Sequence, residues 1–157
     1  MSYDLMVFDP KSAPDGRKEF LAWVHEQVHW KQGQKYDDPQ ATTPALRAWF
    51  VEMIIKYPAM NGPFASKDSD DPRVSDYSIG KSVIYVAFPW SEARSAAFTA
   101  FSSAKRHQVG FFDVSADNGG VWIPKDGGRY VCIHGKEETY TEQTAPKKGW
   151  WQMWIKD

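Results

Sequence analysis

Between Thr43 and Pro58 the sequence specifies its local structure more tightly than anywhere else in the chain. Thr43 can offer its hydroxyl to the unpaired N–H groups of a helix start. Pro44 suits the first helical position, where its missing N–H would have no partner anyway. Leu46, Trp49, Phe50, Met53, Ile54 and Tyr57 then recur at helical spacing, and Pro58 cannot continue the helix. The spacing predicts a helix over residues 44–57 that packs on a sheet through Leu46, Trp49, Phe50, Met53 and Ile54.

The sheet has to come from the flanking segments. Tyr3 to Phe8 carries Leu5, Val7 and Phe8 before the Asp9-Pro10 breaker and reads as a first strand. After Pro14-Asp15-Gly16, the apolar positions Phe20, Leu21, Val24 and Val28 form a helical stripe over residues 17–30, ended by the polar run and Gly33. Residues 58–73, rich in proline and charge, read as an exposed loop. Ser75–Ile79 and Ser82–Phe88, separated by Gly80-Lys81, predict a hairpin or one bulged strand.

Ser91 is placed to cap a third helix over residues 91–107. Its inner side would be Ala93, Ala97, Ala100, Phe101 and Ala104, with Lys105 and Arg106 at the negative end of the helix dipole. Val109–Ser115 follows as a strand. Val121–Pro124 and Tyr130–His134, joined through Asp126-Gly127-Gly128, read as a second hairpin. Periodicity leaves open whether Trp150-Trp151-Gln152-Met153-Trp154-Ile155 is a last strand or a short docked helix. This order predicts one α+β domain over residues 1–157: a mostly antiparallel sheet with helices on one face, like a ferredoxin-type sandwich with an added C-terminal hairpin.

Composition narrows the function. An apolar fraction of 42% with 8 Trp, 7 Tyr and 9 Phe is that of a globular chain with a substantial core. With 19 basic and 20 acidic side chains the net charge is −1, so no overall positive field draws a nucleic acid or an anionic membrane. The single cysteine, Cys132, cannot form an internal disulfide. The start lacks the basic and apolar regions of a signal peptide, and no apolar run approaches the roughly 18 residues of a spanning helix. A cytoplasmic address is the expectation.

The sharpest catalytic pattern is His25-Glu26-Gln27-Val28-His29, of the form H-E-x-x-H. On a helix that spacing places two histidines one turn apart for a shared zinc, with the glutamate activating a bound water. The metzincin continuation is absent, since Gln32 and Lys35 stand where its glycine and third histidine would fall. Glu52 is the available third ligand. At roughly 100° per residue, however, both histidines point away from the apolar stripe of their helix, and Glu52 points away from the apolar face of its own. The three side chains are therefore expected to diverge, with no metal and no cofactor bound.

Other patterns point elsewhere. Asp68, Asp70 and Asp71 begin like a calcium loop, but Arg73 and Ile79 replace the glycine and glutamate such a loop needs. With Asp76 they form an acidic cluster suited to docking a basic partner. Cys132 and His134 alternate on one strand about 7 Å apart, too far for direct thiol activation. No nucleophile elbow, Walker loop or dinucleotide fingerprint is present. Trp150, Trp151 and Trp154 at the C-terminus either complete the core or form an exposed anchor, tryptophan being enriched at binding hot spots.

Three stretches carry a resemblance: Ser2-Tyr3-Asp4-Leu5; Thr43-Pro44-Ala45-Leu46-Arg47-Ala48-Trp49-Phe50; and Asp76-Tyr77-Ser78-Ile79-Gly80 leading to Val83-Ile84-Tyr85-Val86-Ala87-Phe88 and Trp90-Ser91. Over roughly residues 1–115 the chain resembles a family of small bacterial cytosolic proteins, some of them encoded beside contact-dependent or type VI secretion toxins. The resemblance implies an immunity protein whose partner is a cognate protein toxin, and it brings no catalytic motif. Asp68, Asp70, Asp71, Asp76, Trp150 and Trp154 are then the candidate partner-binding residues. The alternatives are a small zinc-dependent hydrolase using His25, Glu26 and His29, and a homodimer assembled through a sheet edge or the Trp-rich end.

Overall fold

The computed structural model of the chain describes residues 1–30, 33–68 and 70–141. Its elements are β1 (Ser2–Phe8), α1 (Arg17–Gln27), α2 (Pro44–Lys56), β2 (Asp76–Ile79), β3 (Val83–Pro89), α3 (Ala93–His107), β4 (Gly110–Phe112), β5 (Val121–Pro124) and β6 (Tyr130–His134). The strands form one six-stranded sheet in the order β2-β3-β1-β4-β5-β6, with antiparallel pairing throughout. The protein is thus α+β. Tyr77 pairs with Val86 in the β2–β3 hairpin, Leu5 with Val86 across β1–β3, and Val7 with Phe111 across β1–β4.

Side chains alternate across a strand, and β1 is buried on both sides. Leu5 and Val7 face α2 and α3, in a core with Trp49, Phe50, Met53, Tyr77, Phe88 and Phe111. Met6 and Phe8 face the other way, against Phe20 and Val24 of α1 together with Val83, Phe112 and Val121. Helices therefore cover both faces of the sheet, which corrects the expectation of helices on one face. The physical reason lies in β1 itself: Leu-Met-Val-Phe is apolar without alternation, and a strand of that kind needs cover on both sides.

The helices follow their local chemistry with three adjustments. In α2 the Thr43 hydroxyl accepts from the Leu46 N–H at 3.2 Å, and the Tyr57 N–H closes the last turn on Met53 O. Phe50 is 2% exposed, and Leu46, Trp49 and Met53 are fully buried, as the spacing requires. Ile54 is only half-buried at the edge of the same core. The first helix stops at Gln27 rather than Trp30, and Leu21, expected in its inner stripe, is exposed. Ser91 does not cap α3: it lies in a 3-10 turn, Trp90–Glu92, and the helix proper begins at Ala93. Buried Ala96, Ala97, Ala100 and Ala104 let α3 approach the sheet and α2 closely, and Trp49 Nε1 donates to Ala100 O at 3.1 Å.

Past β6 the chain turns back at Gly135 (φ +72°). A Cβ there would stand 2.2 Å from Gly119 O, so both the backbone angle and the space demand glycine. The Lys136 N–H donates to Asn118 O at 2.7 Å. The following residues cross toward α3, where Tyr140 lies against Phe101 and Phe111.

Candidate protein-binding face

The helix α2 is apolar on more than its buried side. Pro44, Ala48, Val51 and Ile55 follow one another at helical spacing on its outer side, with Val51 48% and Ile55 82% exposed. An apolar stripe of this kind facing water is the sort of surface that binding partners cover. It was legible in the sequence, since Val51 and Ile55 fall outside the Leu46, Trp49, Phe50, Met53 stripe, yet attention to the inner face alone misses it.

The loop after α2 extends this face. Phe64 lies against Phe50, with ring centroids 6.2 Å apart, and Phe64 and Met60 are both exposed. The loop is held by its own backbone: Ser75 N–H donates to Pro58 O at 2.8 Å, Met60 N–H to Ser75 O at 2.9 Å, and Ser66 N–H to Ala59 O at 2.8 Å. Asp68 Oδ1 accepts from the Asp70 N–H at 3.1 Å, and Asp71 Oδ1 accepts from the Arg73 N–H at 2.9 Å. Arg73 Nε also stands 3.6 Å from Asp71. Asp68, Asp70 and Asp71 thus stand in one hydrogen-bonded turn region of the loop that carries Met60 and Phe64.

Asp76 does not join them. It lies on β2 opposite Ala87, and because Tyr77 and Ile79 point toward α2, Asp76 points to the α1 side of the sheet. Trp150 and Trp154 lie outside the described residues.

The histidine pattern is taken apart by the fold. His25 and Glu26 are exposed on α1, and His29 falls beyond the end of the helix, so the one-turn spacing is lost. Glu52 belongs to the opposite side of the sheet, where it accepts hydrogen bonds from Ser103 and from Arg106 Nη2 (2.8 Å) and lies 3.3 Å from His107 Nε2. Among the described residues no group of three or more His, Cys, Asp or Glu side chains is placed to hold a metal ion.

Burial by itself raises the Glu52 pKa, but hydrogen bonds from Ser103 and Arg106 and the charges of Arg106 and His107 outweigh it and hold the carboxyl below its usual range. A lowered folded-state pKa means that Glu52 contributes stability above the unfolded pKa and loses it as pH falls through the folded one. The side chain is 33% exposed, so the contribution is screened and about 1 kcal/mol or less. Urea unfolding of Glu52→Gln should therefore show a small deficit at neutral pH that closes below the ordinary glutamate pKa of about 4.3.

Cys132 and His134 do not form a reactive pair. Cys132 Sγ donates to His134 O at 3.2 Å, while His134 Nε2 meets Asp15 O at 2.8 Å and so ties the loop before α1. Burial, reinforced by Glu137, pushes the thiol pKa up, which is the wrong direction for a nucleophile.

A buried carboxylate escaped the sequence reading altogether. Asp113, 4% exposed just past β4, accepts from Tyr3 Oη at 2.9 Å and from Tyr140 Oη at 2.5 Å. Burial raises its pKa despite those two bonds, and burial beside Asp113 drives both phenol pKa values far upward. An open cleft of about 540 Å³, lined in part by Trp90, Arg94 and Glu138, lies over this group. Both carboxylate oxygens are engaged by tyrosines, so Asp113 ties β1, β4 and the crossing segment together and is not poised as a base.

No helix among the described residues is long and apolar enough to cross a membrane. Comparison with protein-family models, with curated proteins and with solved structures found no match to this chain.

Proposed function

We propose that this is a cytoplasmic immunity-type protein that binds and neutralises a cognate bacterial toxin, using the outer side of α2 and the loop after it. The observation that carries the reading is the pairing of a water-facing apolar stripe, Val51 and Ile55, with a hydrogen-bonded loop that presents Phe64, Asp68, Asp70 and Asp71. An apolar centre excludes water on contact, and carboxylates at its margin steer and orient a basic surface. Toxins that act on nucleic acids or nucleotides carry such basic surfaces. A face of about 800 Å² is enough for a stable complex, and it requires no pocket.

The same reading assigns the path β1-α2-β2-β3-α3-β4, with its strand order 2-3-1-4, to a ferredoxin-type sandwich. On this view α1 and the β5–β6 hairpin are additions to that frame. The α2 face then belongs to the frame itself.

Co-expression with a candidate toxin, sought first in the neighbouring gene, tests the proposal. Growth should be restored by the native protein and lost with Ile55→Asp, although the variant remains folded. Rescue by Ile55→Asp equal to that of the native protein, together with loss of self-association in solution, would assign the stripe to a homodimer instead.

A further inference from the structure

We infer that the recess between α3 and the β5–β6 hairpin binds an organic cation, an alkylated ammonium or a guanidinium. Four aromatic rings build it. Phe101 and Tyr140 lie 4.8 Å apart and inclined by 33°, while Trp122 and Tyr130 stack at 6.0 Å and 18°. Phe101 stands nearly upright to the second pair, at 79° to Trp122 (4.9 Å) and 67° to Tyr130 (5.4 Å). Two aromatic walls thus meet close to a right angle around an open recess of about 400 Å³, completed by Lys105, Glu137, Glu138 and Thr139.

The chemistry favours a cation. Ring faces carry negative electrostatic potential, and a cation within about 6 Å of several centroids is attracted to all of them. Both tyrosines are fixed at their far ends, Tyr130 Oη donating to Val109 O at 2.5 Å and Tyr140 Oη to Asp113 Oδ2 at 2.5 Å. The rings therefore need little ordering when a ligand arrives, and donation to a carboxylate enriches the Tyr140 ring in electron density. Glu137 and Glu138 add negative charge at the rim, the latter shared with Lys136 at 3.4 Å. Trp122 is 8% exposed, so its ring is held in place by the core beneath the recess. Lys105, four residues after Phe101 on α3, also lines the recess, and its positive charge opposes a bound cation.

This inference stands independently of the toxin reading. The test is a titration of the whole protein, followed through the Trp122 indole N–H in a proton–nitrogen correlation spectrum, with the signal assigned by Trp122→Phe. Tetramethylammonium chloride represents a free quaternary ammonium, and N-acetyl-arginine amide represents a basic side chain on a polypeptide. Sodium chloride at equal ionic strength and tert-butanol, neutral and of similar size, serve as controls. A saturable shift is expected with at least one cation and neither control. The tighter of the two cations identifies the source.

Phe101→Leu should weaken binding at least tenfold, and Lys105→Met should strengthen it severalfold. Should Phe101→Leu unfold the protein, the surface double variant Glu137→Gln/Glu138→Gln should weaken binding at least threefold. An equal response to tert-butanol, or no saturable shift with either cation, overturns the inference.

Discussion

Trp49→Ala is expected to destabilise the protein by about 3–5 kcal/mol, the range for emptying a fully buried large aromatic site. Trp49 has no exposed surface, meets Tyr77 edge-on at 6.3 Å, and donates its indole N–H to Ala100 O at the point where α2 crosses α3. The substitution removes the largest fully buried side chain and leaves a cavity between two helices and a sheet, none of which can close it by side-chain motion alone. Against a total stability of about 5–15 kcal/mol for an ordinary domain, the loss is a large part of what holds the fold. Urea unfolding measures it, with Trp49→Phe as the companion that keeps most of the volume and should cost less. A loss below about 1 kcal/mol for Trp49→Ala would mean that α2 is not seated on the sheet as described.

The second large effect is expected at Asp113, where charge and hydrogen bonding can be separated. Asp113→Ala strands the Tyr3 and Tyr140 hydroxyls beside a void and should cost about 2–4 kcal/mol, since a buried donor without its acceptor loses about 1–3 kcal/mol. Asp113→Asn keeps an acceptor for one phenol and removes the penalty of burying a charge. The sign follows from the direction of the pKa shift. Burial raises the folded-state pKa above its ordinary value, so folding favours the protonated acid, and the ionised form costs stability at pH above that pKa. Relative to Asp113→Asn, the native protein should therefore gain stability as pH falls toward the ordinary carboxylate range. Asp113→Ala should stay well below both at neutral pH. A variant pair that unfolds identically at every pH would remove the carboxylate from its structural role.

What could be read from the sequence was local. The α2 start is written in Thr43 and Pro44 and its inner face in Leu46, Trp49, Phe50 and Met53, because caps and helical period depend on neighbours a few residues apart. The two-sided burial of β1 was present in Leu5-Met6-Val7-Phe8, but which helix covers which side is a matter of chain path, and α1 took the side opposite to α2. His25 and His29 matched a motif by spacing alone. The match required a helix that in fact ends at Gln27. Asp76 is close to Asp71 in the chain, yet strand alternation turns it toward the other side of the sheet. The Asp113 network joins Tyr3 to a residue 110 positions away, and no local pattern encodes such a contact.

The proposed toxin-binding face, the outer side of α2 and the loop after it, is tested most directly by stopped-flow association with the cognate toxin once that toxin is identified. Carboxylates at the margin act on diffusional encounter, so Asp70→Lys/Asp71→Lys should slow association at least threefold and flatten its dependence on salt, with little change in folding. The apolar centre acts on the lifetime of the complex, so Ile55→Asp should speed dissociation at least tenfold with association nearly unchanged. Native rates and native salt dependence in both variants would contradict the assignment and place the contact elsewhere on the molecule.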